Sequence, residues 1–346
     1  MMVHVDGNGN RRAFSLLGMK IVLDSNRREL LDDDEYFLGK GGHLHSLLSN
    51  FHSLGEIDIP DSADVVFHLI DTNAAGVRFS ARGEGDYVIE GPLAESERSA
   101  KDKRSGIFGN MGFFSKLMVR ELEKKGIFSI HSTSFFDRGT NRLFLVMGGS
   151  GSGKSTVLLK AISHGGIEVF GTELTHFSFG ERGVRLLKGS LWQNCRMGNL
   201  VVDFPELLDR FGLEAPPGDP WHSYKSVPMH DMQVPEDVLE DVKIVVLLPR
   251  IEGERRRASI RQVPKASIKM TLYQNLSDKV SPPSLLWGKY FIPSLDCHEC
   301  ERTRIANVER FLNEAPIAEC WNILSSPAEC LDGLYPARSE VAVSGE

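Results

Sequence analysis

The chain has 346 residues, 41% of them hydrophobic and 25% charged, with a formal net charge of −7. That length suits two domains with buried cores, and the acidic balance argues against a general nucleic-acid binder or a protein of anionic membrane surfaces. No stretch approaches the roughly 18 consecutive apolar residues of a membrane helix, and the first 20 residues, Met1 to Lys20, lack an apolar core with a small-residue cleavage site, so no signal peptide is expected.

Residues 13–93 alternate short apolar stretches with turns. Phe14 to Leu23, Val65 to Ile70, Val77 to Ala81 and Tyr87 to Ile89 read as strands, broken by turns such as Asp71-Thr72-Asn73 and Gly83-Glu84-Gly85-Asp86. This predicts a smaller, β-rich, mostly antiparallel N-terminal domain over residues 1–110. Ala94 to Gly106 is polar and charged and reads as a linker. Next, Phe114, Leu117, Met118 and Leu122 recur at helical spacing between Phe113 and Lys125, and Gly126 supplies the stop.

Strand-like Ile127 to Ser134, a turn at Asp137 to Asn141 and strand-like Arg142 to Met147 follow. A helix from about Lys154 to His164, a strand Ile167 to Phe170 and a continuous apolar strand Val242 to Leu248 complete the pattern. The expectation is an α/β domain over residues 111–335, built as a mixed sheet around a phosphate-binding loop. The small polar residues from Pro336 to Glu346 read as a disordered tail.

Gly148-Gly149-Ser150-Gly151-Ser152-Gly153-Lys154-Ser155-Thr156 satisfies G-x-x-x-x-G-K-[ST], the Walker A pattern. Glycines let the backbone wrap an anion and aim successive N–H groups inward, and the helix that starts here adds its positive dipole end. Lys154 would bridge the β- and γ-phosphates of ATP, and the Ser155 hydroxyl would ligate magnesium. The flanks, a strand leading in and a helix leading out, are the context this motif requires. A D-x-x-G with N-K-x-D, as a GTPase would carry, does not occur downstream in usable form.

A second magnesium ligand is normally an acid at the end of a neighbouring strand. Glu173, just after Ile167 to Phe170, is the first candidate, and Asp203, after Leu200-Val201-Val202, is the second. Arg250, after the strand ending at Leu248, could neutralise charge on a transferring phosphoryl group. Arg182, Arg185 and Lys188 are candidates for shaping an acceptor pocket.

From Phe113 to Phe177 the order of elements resembles the HPr kinase/phosphorylase family, relatives of phosphoenolpyruvate carboxykinase. The residues that carry this are the helix ending in Gly126, Ile130-His131, the hairpin, the Walker strand and loop, the helix ending near Gly165-Gly166 and the strand Ile167 to Phe170. The resemblance implies a magnesium- and ATP-dependent kinase with His131 at the family's histidine. Its acceptor would be a hydroxyl of a small metabolite, such as an amino acid or polyol, or of a seryl peptide. Where the family has paired aspartates, this chain has Thr172-Glu173. Glu173 can still hold the metal, but a threonine hydroxyl is no general base at neutral pH, leaving His131, Glu173 or a transfer that needs little base help. A nucleotide-binding regulator without kinase chemistry and a P-loop ATPase acting on a protein partner are the rival readings. Oligomeric state and the choice of ATP over GTP stay open.

The cysteines, Cys195, Cys297, Cys300, Cys320 and Cys330, are an odd and sparse set that suits a reducing cytoplasm. Cys297-His298-Glu299-Cys300 is a C-x-x-C without a second ligand pair, and it does not begin a helix after a thioredoxin-type strand, so neither a structural zinc site nor a redox pair is expected and the cysteines read as incidental. His43, His45 and His52 have no acid or thiol partner at a metal-ligand interval. Phe135-Phe136 reads as strand packing.

Overall fold

The structure, a computed structural model, describes residues 3–4, 10–32, 37, 51–99, 106–108, 112–255 and 257–334. The domain boundary expected at residues 110 and 111, the tail from Pro336, and His43 and His45 lie outside the described residues. The fold is mixed α/β, with several sheets, few helices and no closed barrel.

The first sheet contains β1 (Asn10–Leu16), β2 (Met19–Ser25), β3 (Leu54–Ile57), β4 (Val65–Asp71), β5 (Arg78–Gly83) and β6 (Asp86–Gly91), in the order β3-β1-β2-β4-β6-β5. The apolar stretch from Phe14 to Leu23 is thus two strands. They meet at Leu17-Gly18, with φ of 49° and 82°, a two-residue turn whose twist suits a hairpin. Three of its five pairings are antiparallel, whereas β2 with β4 and β4 with β6 are parallel, so the sheet is mixed with an antiparallel majority. Part of the expected linker is a helix, α1 (Leu93–Ser99). Asp71 at the end of β4 accepts the Ala94 N–H at 2.9 Å, Glu95 lies in the first turn and Arg98 in the last, so the charges that suggested a linker also suit the helix dipole. α2 (Phe113–Lys124) packs Phe113, Phe114, Leu117, Met118 and Leu122 against Phe14, Phe67 and Tyr87 of this sheet.

Beyond α2, the stretch from Ile127 to Ser134 divides at His131 into β7 (Ile127–Ile130) and β8 (Ser132–Asp137), which belong to different sheets. Next come β9 (Arg142–Met147), α3 (Lys154–His164), β10 (Glu168–Gly171), β11 (Thr175–Gly180) and β12 (Gly183–Leu187). A ribbon of β13 (Trp192–Arg196) with β14 (Tyr224–Pro228) encloses a short π-type turn at Asn199–Asp203 and α4 (Glu206–Arg210). Asp203 therefore ends a helical turn, not a strand. β15 (Val238–Leu239), β16 (Lys243–Ile251), β17 (Ser259–Gln262), α5 (Lys269–Ser277), β18 (Ser284–Leu286), β19 (Tyr290–Ile292), α6 (His298–Glu314) and β20 (Ile317–Ser325) complete the order.

The central sheet runs β10-β8-β9-β16-β20-β17, with β9, β16 and β20 mutually parallel; β15-β12-β11-β7 form an antiparallel sheet. Both faces of the central sheet are covered. Phe144, Val146, Val245 and Leu247 face α3, while Leu143, Leu145, Met147, Ile244 and Val246 face α5, α6 and the antiparallel sheet. Burial on both faces explains why β9 and β16 read as continuous apolar runs. Phe135 stacks on its cross-strand neighbour Phe144, with centroids 4.9 Å apart, in this core.

Candidate functional site

Gly148 to Gly153 leave the C-terminal end of β9 and turn into α3. Gly151 and Gly153 have φ of 76° and 100°, conformations that a side chain disfavours, and a Cβ on Gly153 would also collide with Ile251. Lys154, partly buried, folds back over the loop, where its Nζ donates to the carbonyls of Gly148 at 2.8 Å and Gly149 at 3.3 Å. Burial lowers its pKa, and the charges of Glu173 and Asp278 oppose that shift. Backbone N–H groups at a helix start, backed by an ammonium, form a concavity suited to an anion.

The loop from Ser150 to Thr156 forms one wall of a cleft of about 350 Å³. Opposite it stand His131, Thr133, Glu173 and Lys279. The break between β7 and β8 positions His131: its N–H donates to the backbone carbonyl of Asn275 at 2.9 Å rather than to a strand. Its ring is held on both sides, Nδ1 2.5 Å from Asp278 Oδ2 and Nε2 3.3 Å from Glu173 Oε2. Burial alone would raise the Glu173 pKa, but the bond to His131 and the charges of Lys279 and Lys154 outweigh it and hold the carboxyl below its ordinary value. Asp278 is held low first by its bond to His131. At neutral pH two carboxylates therefore flank one imidazole, with Lys154 and Lys279 nearby.

The ribbon supplies the third wall through Asn194, Arg196 and Tyr224, with Asn199 just beyond β13. Gln193 Nε2 donates to Ser155 Oγ at 3.0 Å, and Asn199 Nδ2 donates to Thr156 Oγ1 at 2.8 Å, fixing the two hydroxyls of the helix start. Asn194 Oδ1 is buried with no hydrogen-bond partner among the described residues. The Ser155 hydroxyl, the Glu173 carboxylate and this oxygen are the hard donors that magnesium takes. Among the described residues no group of three or more His, Cys, Asp or Glu side chains is arranged as a metal cage.

The structure thus brings His131, Lys154, Ser155 and Glu173 into one cleft and adds Lys279, Asn194, Arg196 and Tyr224 to them, with Asp278 joined to the cleft through its bond to His131. Arg250 is not brought in. β16 continues through Pro249 to Ile251, and the Arg250 side chain, 78% exposed, pairs with Glu252 at 2.9 Å. Asp203 does not line the cleft either. Arg182 and Arg185 pair with Glu240 at 3.1 and 2.7 Å in a separate depression. Lys188 is buried against Asp237 and Gln233, and His52 lies 3.3 Å from that same Asp237. The Thr172 hydroxyl is buried and donates to the Trp192 carbonyl at 2.8 Å.

The chain matches no family model, and a search of curated proteins gives no match.

Proposed function

We propose that this protein is a magnesium-dependent phosphotransferase of HPr kinase-like type, moving the γ-phosphoryl group of ATP to a hydroxyl acceptor. The observation that carries this reading is the cleft itself: a glycine loop and Lys154 on one wall, and Glu173 with His131 on the other, His131 being held in turn by Asp278. The loop amides and Lys154 would hold the phosphates. Ser155 and Glu173 would hold magnesium, whose role is to neutralise charge on the β- and γ-oxygens.

His131 is the residue best arranged to take the acceptor's proton. Asp278 orients the ring through Nδ1, and Nε2, which lies 3.3 Å from Glu173 Oε2, would be released to act as the base when Glu173 turns to magnesium. Thr172 takes no part, since its hydroxyl is already committed to a backbone carbonyl. Arginine at position 250 is left out of the mechanism. Arg196 is the cleft-lining arginine, and its guanidinium is bonded to Tyr224 Oη at 2.7 and 2.9 Å.

The test is incubation with γ-labelled ATP, magnesium and a panel of amino acids, polyols and seryl peptides. Transfer of label that needs magnesium and disappears in Lys154→Ala supports the reading. Tight ATP binding with no transfer to any acceptor and only slow hydrolysis supports the regulator instead, a reading favoured by the absence of a second acid beside Glu173 on the β10 side.

A further inference from the structure

Three of the five cysteines are buried, whereas Cys297 is exposed and Cys300 half-buried. Cys297 is the residue that precedes α6, and Cys300 stands in the first turn of that helix. Their Sγ atoms are 3.2 Å apart. A disulfide has an S–S length of about 2.05 Å, so the two sulfurs are about 1 Å short of bonding, a gap that side-chain rotation can close.

The base beneath the pair is rigid. Arg304, one turn further along α6 and 1% exposed, pairs with Asp296, the residue before Cys297, and with Glu123 of α2, both at 2.9 Å. The two thiols are also unequal. The backbone N–H of Cys300 lowers the Cys297 thiol from its usual value, while burial pushes the Cys300 thiol up to about 11. An exposed thiol with thiolate character beside a sheltered partner is the division of labour between an attacking and a resolving cysteine.

We propose that Cys297 and Cys300 form a thiol–disulfide exchange site whose co-reactant is a small aliphatic disulfide. The Cys297 thiolate attacks one sulfur of R–S–S–R, giving a mixed disulfide and releasing one thiolate. Cys300, losing its proton, attacks the Cys297 sulfur, closes the intramolecular bond and releases the second thiolate. The two protons given up by the cysteines end on two R–SH, and two electrons pass from the protein to the small disulfide. The site lies outside the nucleotide cleft and stands independently of the proposed phosphotransfer.

The reduced full-length chain is treated with oxidised glutathione at neutral pH, quenched with acid, alkylated and read by peptide mass spectrometry. The expected product is a Cys297–Cys300 bond in a peptide lighter by two hydrogens, with Cys195, Cys320 and Cys330 still reduced. Cys300→Ser is expected to stop at a glutathione adduct on Cys297. Cys297→Ser is expected to incorporate glutathione at least ~10-fold more slowly. A wild-type chain that stays reduced, or that halts at the mixed disulfide without closing, overturns the proposal whether or not either variant folds.

Discussion

The side-chain oxygen of Asn275 accepts the N–H of Gly148 at 3.3 Å, tying the first residue of the glycine loop to α5. The backbone carbonyl of the same asparagine receives His131. One buried residue therefore sets the spacing between the two walls of the cleft. We expect Asn275→Ala to lower stability by about 1–2 kcal/mol, as for a lost buried hydrogen bond. On the proposed phosphotransferase reading, transfer should fall by about 10-fold or more, through misplacement. Urea unfolding and steady-state transfer measure the two effects. Full activity would show that the loop holds its place without α5.

Glu173→Gln keeps the shape of the side chain and removes its charge. If Glu173 holds magnesium, the concentration of magnesium needed for half-maximal transfer should rise at least ~10-fold, while metal-free nucleotide binding changes little. The native carboxyl titrates below its ordinary value. Its charge is thus present above the free-glutamate range and is lost only as pH falls through the lower native value. A magnesium titration at pH 7 and again near pH 5 should give the same requirement in the wild type.

His176 carries a different pH signature. It is completely buried, its Nδ1 lies 2.8 Å from Ser129 Oγ, and burial pulls its pKa down to about 4. Below the unfolded value of ~6.5 the unfolded chain gains a proton that the native chain refuses, so stability falls with pH across that interval and levels off near pH 4. The difference of about 2.5 units corresponds to roughly 3 kcal/mol. His176→Phe should flatten the fall in melting temperature between pH 6.5 and 4, and an unchanged slope would exclude His176 as its cause.

Arg304 is a buried cation between two carboxylates. Arg304→Ala strands Glu123 and Asp296 and should destabilise the fold by about 3–5 kcal/mol. Arg304→Met with Glu123→Gln and Asp296→Asn should recover part of that loss. Denaturant midpoints of the single and triple variants decide it; equal losses would show that the charges themselves are not what matters.

The glycine loop and α3 were legible because their signal is local: a fixed glycine spacing, an apolar run before it and a helical repeat after it. Glu173 was legible for the same reason, as the first acid beyond a strand. Asp278 was not, since it stands 147 positions from the histidine that it holds and follows an ordinary helix. Nor was Gln193, whose contact with Ser155 exists only because the β13–β14 ribbon folds over the cleft. The split at His131 was hidden because strand-forming residues run straight through it, from Ile127-Phe128 to Phe135-Phe136, and a change of sheet leaves no mark in composition. Arg250 misled because the strand does not stop where its apolar run does.

The aromatic side of α2 is sealed by strands from the start of the chain and, through Leu286 and Ile292, by the hairpin near its other end. A shortened gene beginning at residue 112 would encode a sticky fragment. Phe113, Phe114, Leu117 and Met118 would meet water, and inclusion bodies rather than a smaller working protein would be the harvest.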